Sequence, residues 1–260
     1  MFYRAKSFMF AALPGFVQRP MMIRRFESRL AWAEPEVREL PKLIRNGDVA
    51  IDVGGNVGVY TFALSKLARR VISFEPNPQL AARLRMLALA NVEVKDVALS
   101  SSEGTATLTI PDWPEGHGFG SLRPEMGFGD ARLIKRDVPM RTLDSFAFDQ
   151  VDFIKIDVEG LEEDVLAGAM QTIRDCRPAI LVELVDKFAP GVHARVAGKL
   201  EELGYSGYFL FGSEWHSFAE FDPEKHHNRN RAIDLKDRPR SEWGYVNNFL
   251  FLPAGRTIGH

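Results

Sequence analysis

With 260 residues, 45% of them hydrophobic and 26% charged, the chain can bury one large core; no low-complexity tract or fixed repeat points to disorder, a solenoid or a propeller. A formal net charge of −2 gives no basic field, so no nucleic-acid partner is expected. Cys176 is the one cysteine, which excludes an internal disulfide framework and a zinc-ligand pair and suits a reducing, cytoplasmic setting.

The N-terminal stretch MFYRAKSFMFAALPGFVQRP is too short in its apolar run for a membrane span, and no signal-peptide cleavage site follows it. Residues 1–46 are read as a helical cap on the domain. Its arginines (Arg4, Arg19, Arg24, Arg25, Arg29), Lys6 and aromatics leave a peripheral membrane contact as the alternative. From residue 47 to 260 the pattern is one domain of alternating strands and helices. DVAIDVGG is a buried strand ending in glycines, VGVYTFALSKLA a helix, RVISFEP a second strand stopped by Pro76, and PQLAARLRMLALA a helix opened by Pro78. VEVKDVAL reads as a third strand, and SSEGTATLTIPDWP as an exposed hairpin strand. Residues 112–132 form a glycine-rich loop, a lid or substrate-loop candidate that carries His117. VDFIKIDVEG is a fourth strand, LEEDVLAGAMQTIRDC an amphipathic helix, PAILVELV a fifth strand and HARVAGKLEELG a helix. YSGYFLFG and NFLFLP close the chain as an antiparallel edge pair, separated by an insert loop at 213–246. Near-continuous apolar strands alternating with helices predict a mostly parallel seven-stranded sheet with helices on both faces, an α/β Rossmann-like fold whose ligand lies beyond the strands' carboxyl ends.

The sharpest feature is AIDVGGNVGVYT, where Asp52 ends a strand and Gly54, Gly55 and Gly58 turn into a helix. The G-x-G-x-x-G register of a pyrophosphate site fails, with Asn56 and Val59 in the second and third glycine places. A phosphate-free nucleoside with an amino-acid end and a sulfonium, S-adenosylmethionine, suits the pattern better: Asp52 for its ammonium, and the backbone N–H groups around Gly54, Asn56 and Gly58 for its carboxylate. Glu75 ends the second strand within about 20 residues of the glycine turn, at the interval for accepting from ribose hydroxyls. Asn77 adds a contact, and Asp96 and Ala98 end the third strand where the adenine would lie.

Taken together, VAIDVGGNVGVYT, SFEPNP, VALSSSEGTATL, TLDSF, FIKIDVEGLEEDVLAGA and RPAILVEL resemble the FkbM family of methyltransferases over roughly residues 47–211. The resemblance implies a class I S-adenosylmethionine fold and O-methylation of a sugar, glycolipid or polyketide-type acceptor. Gly55 stands where the family frequently has alanine.

Methyl transfer to oxygen needs alignment of three atoms and a base for a weakly acidic hydroxyl. Asp157 and Glu183, ending the fourth and fifth strands, are the catalytic candidates, together with His117 from the flexible loop. His216, His226 and His227 are further loop histidines able to act as a base. The Asp157/Glu183 pair could alternatively hold Mg²⁺ and orient a diol. Lys155, Asp157 and Glu159 would share one face of the fourth strand's end, over the expected methyl position; Glu159 reads equally as a cap of the following helix, and Lys155 as an ion-pair partner within the sheet. Two other functions stay open at this stage: an NAD-type oxidoreductase on the same fold, and a non-catalytic binding module on the methyltransferase scaffold.

Overall fold

The computed structural model describes residues 15–30, 33–45, 47–112, 122, 132–187, 189–227 and 245–259. Most of the 112–132 loop, with His117, and residues 228–244 therefore lie outside the described residues.

The main sheet starts with β1 (Val49–Val53), which pairs in parallel with β2 (Arg70–Phe74) on one side and β7 (Phe153–Ile156) on the other. β3 (Val92–Lys95) extends the sheet beyond β2, and β8 (Ala179–Glu183) extends it beyond β7, both in parallel. β11 (Asn248–Pro253) then enters antiparallel between β8 and β9 (Tyr205–Phe211). All seven expected strands are present. An eighth, β10 (Glu214–Ser217), lies inside the segment read as an insert loop and forms the sheet edge against β9. Its register puts Glu214 opposite Phe211, so Gly212 and Ser213 alone make the turn. Gly212 has φ +67°, which a two-residue hairpin turn needs at such a position.

The third strand departs from expectation. VEVK stays in the main sheet, but β4 (Ala98–Leu99) swings out to pair with β6 (Leu133–Arg141), which runs antiparallel to β5 (Gly104–Pro111). The hairpin β5–β6 is thus the base of the 112–132 loop, and it makes with β4 a separate three-stranded sheet.

Helices cover both faces. α3 (Val59–Ser65) and the N-terminal α2 (Pro35–Glu39) pack with Leu40, Leu43, Leu181 and Leu250 on one face. On the other face α5 (Glu162–Ala167), α6 (Met170–Cys176) and α7 (Val192–Glu202) bury Val165, Ile173, Val196 and Leu200 against Ile154 and Val182. The single helix expected over 161–176 is broken into α5 and α6 at Gly168, where a Cβ would lie 2.0 Å from the Ser100 carbonyl oxygen. α4 (Pro78–Met86) follows β2, opened by Pro78 and capped by Asn77. α1 (Gly15–Leu30) lies on α3, with Phe26 against Phe62 at 5.3 Å between ring centroids, and Arg19 donates to the Leu87 and Ala88 carbonyls beyond α4. Among the described residues no helix is long and apolar enough to cross a membrane.

Candidate active site

An open cleft of about 670 Å³ lies beyond the carboxyl ends of β1, β2 and β7 and is continuous with solvent. β1 delivers Gly54 and Asn56 to it, β2 delivers Phe74, Glu75 and Asn77, and β7 delivers Asp157, Val158 and Glu159. Ala98 lines it from β4, next to Val97 and Leu99, and Leu108 of β5 with Leu122 of the loop between β5 and β6 adds an apolar wall.

The backbone here is shaped by two close approaches. Gly54 (φ +83°) runs so near β7 that a Cβ would stand 1.9 Å from the Asp157 carbonyl oxygen. Its N–H and that of Gly55 both donate to the Phe74 carbonyl, at 2.9 and 3.1 Å. Glu75 then ties the two turns together: one carboxylate oxygen accepts from the Asn56 N–H (2.6 Å), the other from the Asn77 N–H (2.7 Å). Asn77 in turn caps α4 by accepting from the Gln79 N–H. The glycine turn, Glu75 and the helix start are therefore one hydrogen-bonded unit.

Sequence comparison meets this geometry at the same residues. The model of the methyltransferase FkbM domain matches residues 52–206. The chain belongs to the FkbM methyltransferase family. This FkbM chain is 29% identical over 158 residues to the 2-O-methyltransferase NoeI of Sinorhizobium fredii, an alignment covering 54% of the chain and 65% of that relative. It is 26% identical over 194 residues to methyltransferase sdnD of Sordaria araneosa, covering 60% and 72%. Among solved structures, the methyltransferase FkbM of Methylobacillus flagellatus superposes with a TM-score of 0.51 at 14% identity, over 92% of this chain and 55% of the other. That likeness supports the Rossmann-like fold, and the family match sets aside the oxidoreductase reading.

Three expected cofactor residues of this FkbM chain, Asp52, Asp96 and Gly58, stand away from the cleft. Asp52 is 1% exposed, because alternation along β1 turns it under α3, where Thr61 Oγ1 donates to it at 2.5 Å and Ser73 Oγ lies 3.0 Å from that hydroxyl. Its influence on the cleft is indirect, through the packing of the glycine turn on α3. Asp96 lies on the surface in an ion pair with Arg85. On the side of β4 the cleft is lined by Val97, Ala98 and Leu99. Gly58 ends the turn at φ +92° against Leu84 rather than lining the cleft.

Asp157 and Glu183 do come together: burial and then the Asp157 carboxylate push the Glu183 carboxyl well above its ordinary range. Asn247 donates to Glu183, and the fully buried Lys155 Nζ stands 3.8 Å from Asp157. The cation at this pair is thus supplied by the chain itself, and among the described residues no three His, Cys, Asp or Glu side chains are grouped to hold a metal. Lys155 also donates to Asn248 Oδ1 (2.8 Å) and lies 4.9 Å from the Tyr60 ring centroid. Glu34, just ahead of α2, accepts from both Tyr60 OH and Asn248 Nδ2, so the N-terminal segment closes the back of this network.

The loop histidines within the described residues hold structure. His226 packs among Phe209, Phe211 and Phe221 and accepts from the Asp222 N–H. His227 bridges the Val246 carbonyl and Tyr245 OH, and His216 stacks on Phe209. For Glu159 the structure decides between a helix cap and a strand-end acid facing the site in favour of the second. Glu159 does not cap α5; Glu162 takes that role by accepting from the Gly160 N–H, while Glu159 lines the cleft at φ +50°. The glutamate–glycine pair at 159–160 was the available signal, since two consecutive left-handed residues postpone a helix start.

Burial pushes several carboxyls above their ordinary range, among them Asp52 to about 6, Glu75 and Glu159 to about 7, and Glu36 of α2 to about 8. The Thr61 hydroxyl opposes the shift at Asp52, and the Asn77 and Asn56 N–H groups oppose it at Glu75. Raised folded-state pKa values favour the protonated, folded form, so this stabilisation is complete below the ordinary carboxylate range and is lost as pH rises through those values. The ligand-free protein should therefore melt several degrees lower at pH 8 than at pH 5, each kcal/mol lost being worth roughly 2–4 °C. Calorimetric melts across that range that stayed level or rose would contradict the assignment.

Proposed function

We propose that this FkbM methyltransferase uses S-adenosylmethionine to methylate a hydroxyl of a small-molecule or glycan acceptor, of sugar, glycolipid or natural-product type. The observation that carries the reading is the convergence of Gly54, Asn56, Glu75, Asn77, Ala98 and Asp157 on one cleft at the strands' carboxyl ends. The donor and acceptor chemistry fits that cofactor. Glu75 keeps acceptor capacity for a ribose diol while its backbone bonds fix its direction. Phe74, Leu80, Val97, Leu99 and Leu108 offer a purine an apolar slot, with no basic residue lining the cleft to receive a phosphate among the described residues. Similarity to a relative named as a 2-O-methyltransferase supports oxygen as the atom modified.

S-adenosylmethionine supplies an activated methyl group on a sulfonium. The chain supplies alignment and a proton acceptor. Asp157 faces the cleft with about a third of its side chain exposed, whereas Glu183 behind it is protonated by burial and by Asp157 itself. Asp157 is the group that accepts the acceptor's hydroxyl proton, and Lys155 holds the negative charge in place between turnovers. His117, in the segment joining β5 to β6, is a second candidate base.

Calorimetric titration with S-adenosylmethionine tests the cofactor assignment. Glu75→Ala should weaken binding about 10- to 100-fold, the worth of a hydrogen-bonded carboxylate. Asp52→Ala should cost stability more than affinity, since its carboxylate serves Thr61. Equal affinity of Glu75→Ala and wild type would refute the site. Incubation with methyl-labelled cofactor and a panel of sugars, glycolipids and polyketides, with and without magnesium, identifies the acceptor; labelled product is expected without added metal.

A further inference from the structure

Three carboxylates line the cleft, Glu75, Asp157 and Glu159, and no lysine, arginine or histidine does so among the described residues. Two of the three are already compensated. Glu75 accepts two backbone N–H bonds, and Asp157 has the Lys155 ammonium at 3.8 Å and the Glu183 carboxyl beside it. Glu159 is different. No hydrogen bond or ion pair from a described residue reaches its carboxylate, although most of its surface is covered. The fields of Asp157 and Glu162 that oppose its charge outweigh the distant help of Lys187.

Its position is also held. Glu159 has φ +50° and Gly160 has φ +102°, so the chain turns outward between β7 and α5 and cannot fold this side chain back as a helix cap. A carboxylate that is half out of water without a counter-charge is costly until a ligand brings one. S-adenosylmethionine has one positive charge more than the S-adenosylhomocysteine left after transfer, and that charge sits on the atom bearing the methyl group.

We infer that Glu159 is the specificity residue by which the cleft distinguishes the cationic methyl donor from its neutral product. This rests on the S-adenosylmethionine reading above and adds a consequence to it: once the methyl has left, the charge that Glu159 attracts is gone, and the product is held less tightly than the donor. Neither Glu75, held by two backbone donors, nor Asp157, paired with Lys155, can make that distinction as strongly.

The test is isothermal titration of the full chain with three probes: S-adenosylmethionine, sinefungin (which carries an ammonium in place of the sulfonium) and S-adenosylhomocysteine. Wild type should favour the two cations over the neutral product by about tenfold, a modest Coulombic gain in a partly solvated site. Glu159→Gln should weaken both cations about tenfold and the neutral product by less than about twofold. Glu159→Gly removes the same charge at a backbone angle that glycine adopts freely, and it carries the test if the glutamine variant folds poorly. Equal weakening of all three probes would mean that Glu159 only shapes the loop, and an unchanged preference would mean that its charge is not read; either overturns the inference. Failure of every probe to bind wild type would overturn the cofactor reading itself, an outcome distinct from both.

Discussion

Gly54→Ala is expected to destabilise the protein by about 4 kcal/mol and to abolish nucleoside binding, because the new methyl group needs a backbone position that is already filled. Its Cβ would lie 1.9 Å from the Asp157 carbonyl oxygen and 3.0 Å from the carbonyl carbon, and the residue sits at φ +83°. No flexible side chain can yield there. Relief requires β1 and β7 to separate at the point where Gly54, Asp157 and the Glu75-bound Asn56 form the floor of the cleft. Gly55→Ala is the internal control. Its Cβ would meet Ser73 Oγ at 2.3 Å and Leu84 Cδ1 at 3.0 Å, the ends of side chains rather than backbone. Those atoms can move, so the cost should be about 1–2 kcal/mol, with binding retained. Urea unfolding of the two variants gives the comparison, and equal losses would show that the contact with Asp157 does not govern the turn. For a chain whose total stability is of order 5–15 kcal/mol, the larger loss leaves Gly54→Ala near the edge of folding.

The parts of this fold that could be read from sequence are those where one local rule acts alone. Continuous β-branched runs marked β1, β2, β7 and β8, and glycine with proline marked the turns that follow β1 and β2. The loss of a pyrophosphate register at Asn56 and Val59 pointed away from dinucleotides before any coordinates were needed. What was hidden depended on pairing across long separations. Ala98 and Leu99 look like a continuation of Val92–Lys95, and only Met140 and Arg141, more than forty residues later, draw them into another sheet. Asp52 ends a strand in the right place for a ligand, but strand alternation and a short bond from Thr61 turn it inward. Asp96 is drawn off by Arg85 on the neighbouring helix, a partner that the spacing of charges along the chain does not reveal. Glu159 was legible as an acid at the end of the fourth strand, but whether it capped the helix or faced the cleft depended on the left-handed turn at 159–160, which its neighbours in sequence do not dictate.

Lys155→Met should be the most damaging single change in the interior, costing about 3–5 kcal/mol at pH 8. Lys155 is fully buried, and burial alone would lower its pKa, yet Asp157, Glu34 and Glu183 together raise it, so the ammonium is charged and the acids around it depend on it. Methionine conserves much of the volume but leaves Asp157, Glu183, Glu34 and Glu36 facing one another with no cation between them. The sign with pH follows from those acids. Glu36 already titrates near 8 and Glu183 well above its ordinary range, with the field of Lys155 lowering both; its removal raises them further. At pH 5 the extra protons are readily available and the variant folds with its carboxyls neutral. At pH 8 each proton must be taken up against the solution, so the gap between variant and wild type widens as pH rises. Adding Glu183→Gln removes one of the stranded charges, and the double variant should lose less than the sum of the two single losses. Chemical unfolding of all three variants at both pH values decides it. A loss independent of pH, and single losses that simply add, would show that Lys155 acts through packing rather than charge. Under the proposed function Asp157 also meets the acceptor, so the electrostatics that keep this core folded and those that would ready the cleft for proton removal are the same interaction, and a variant that relieves one should change the other.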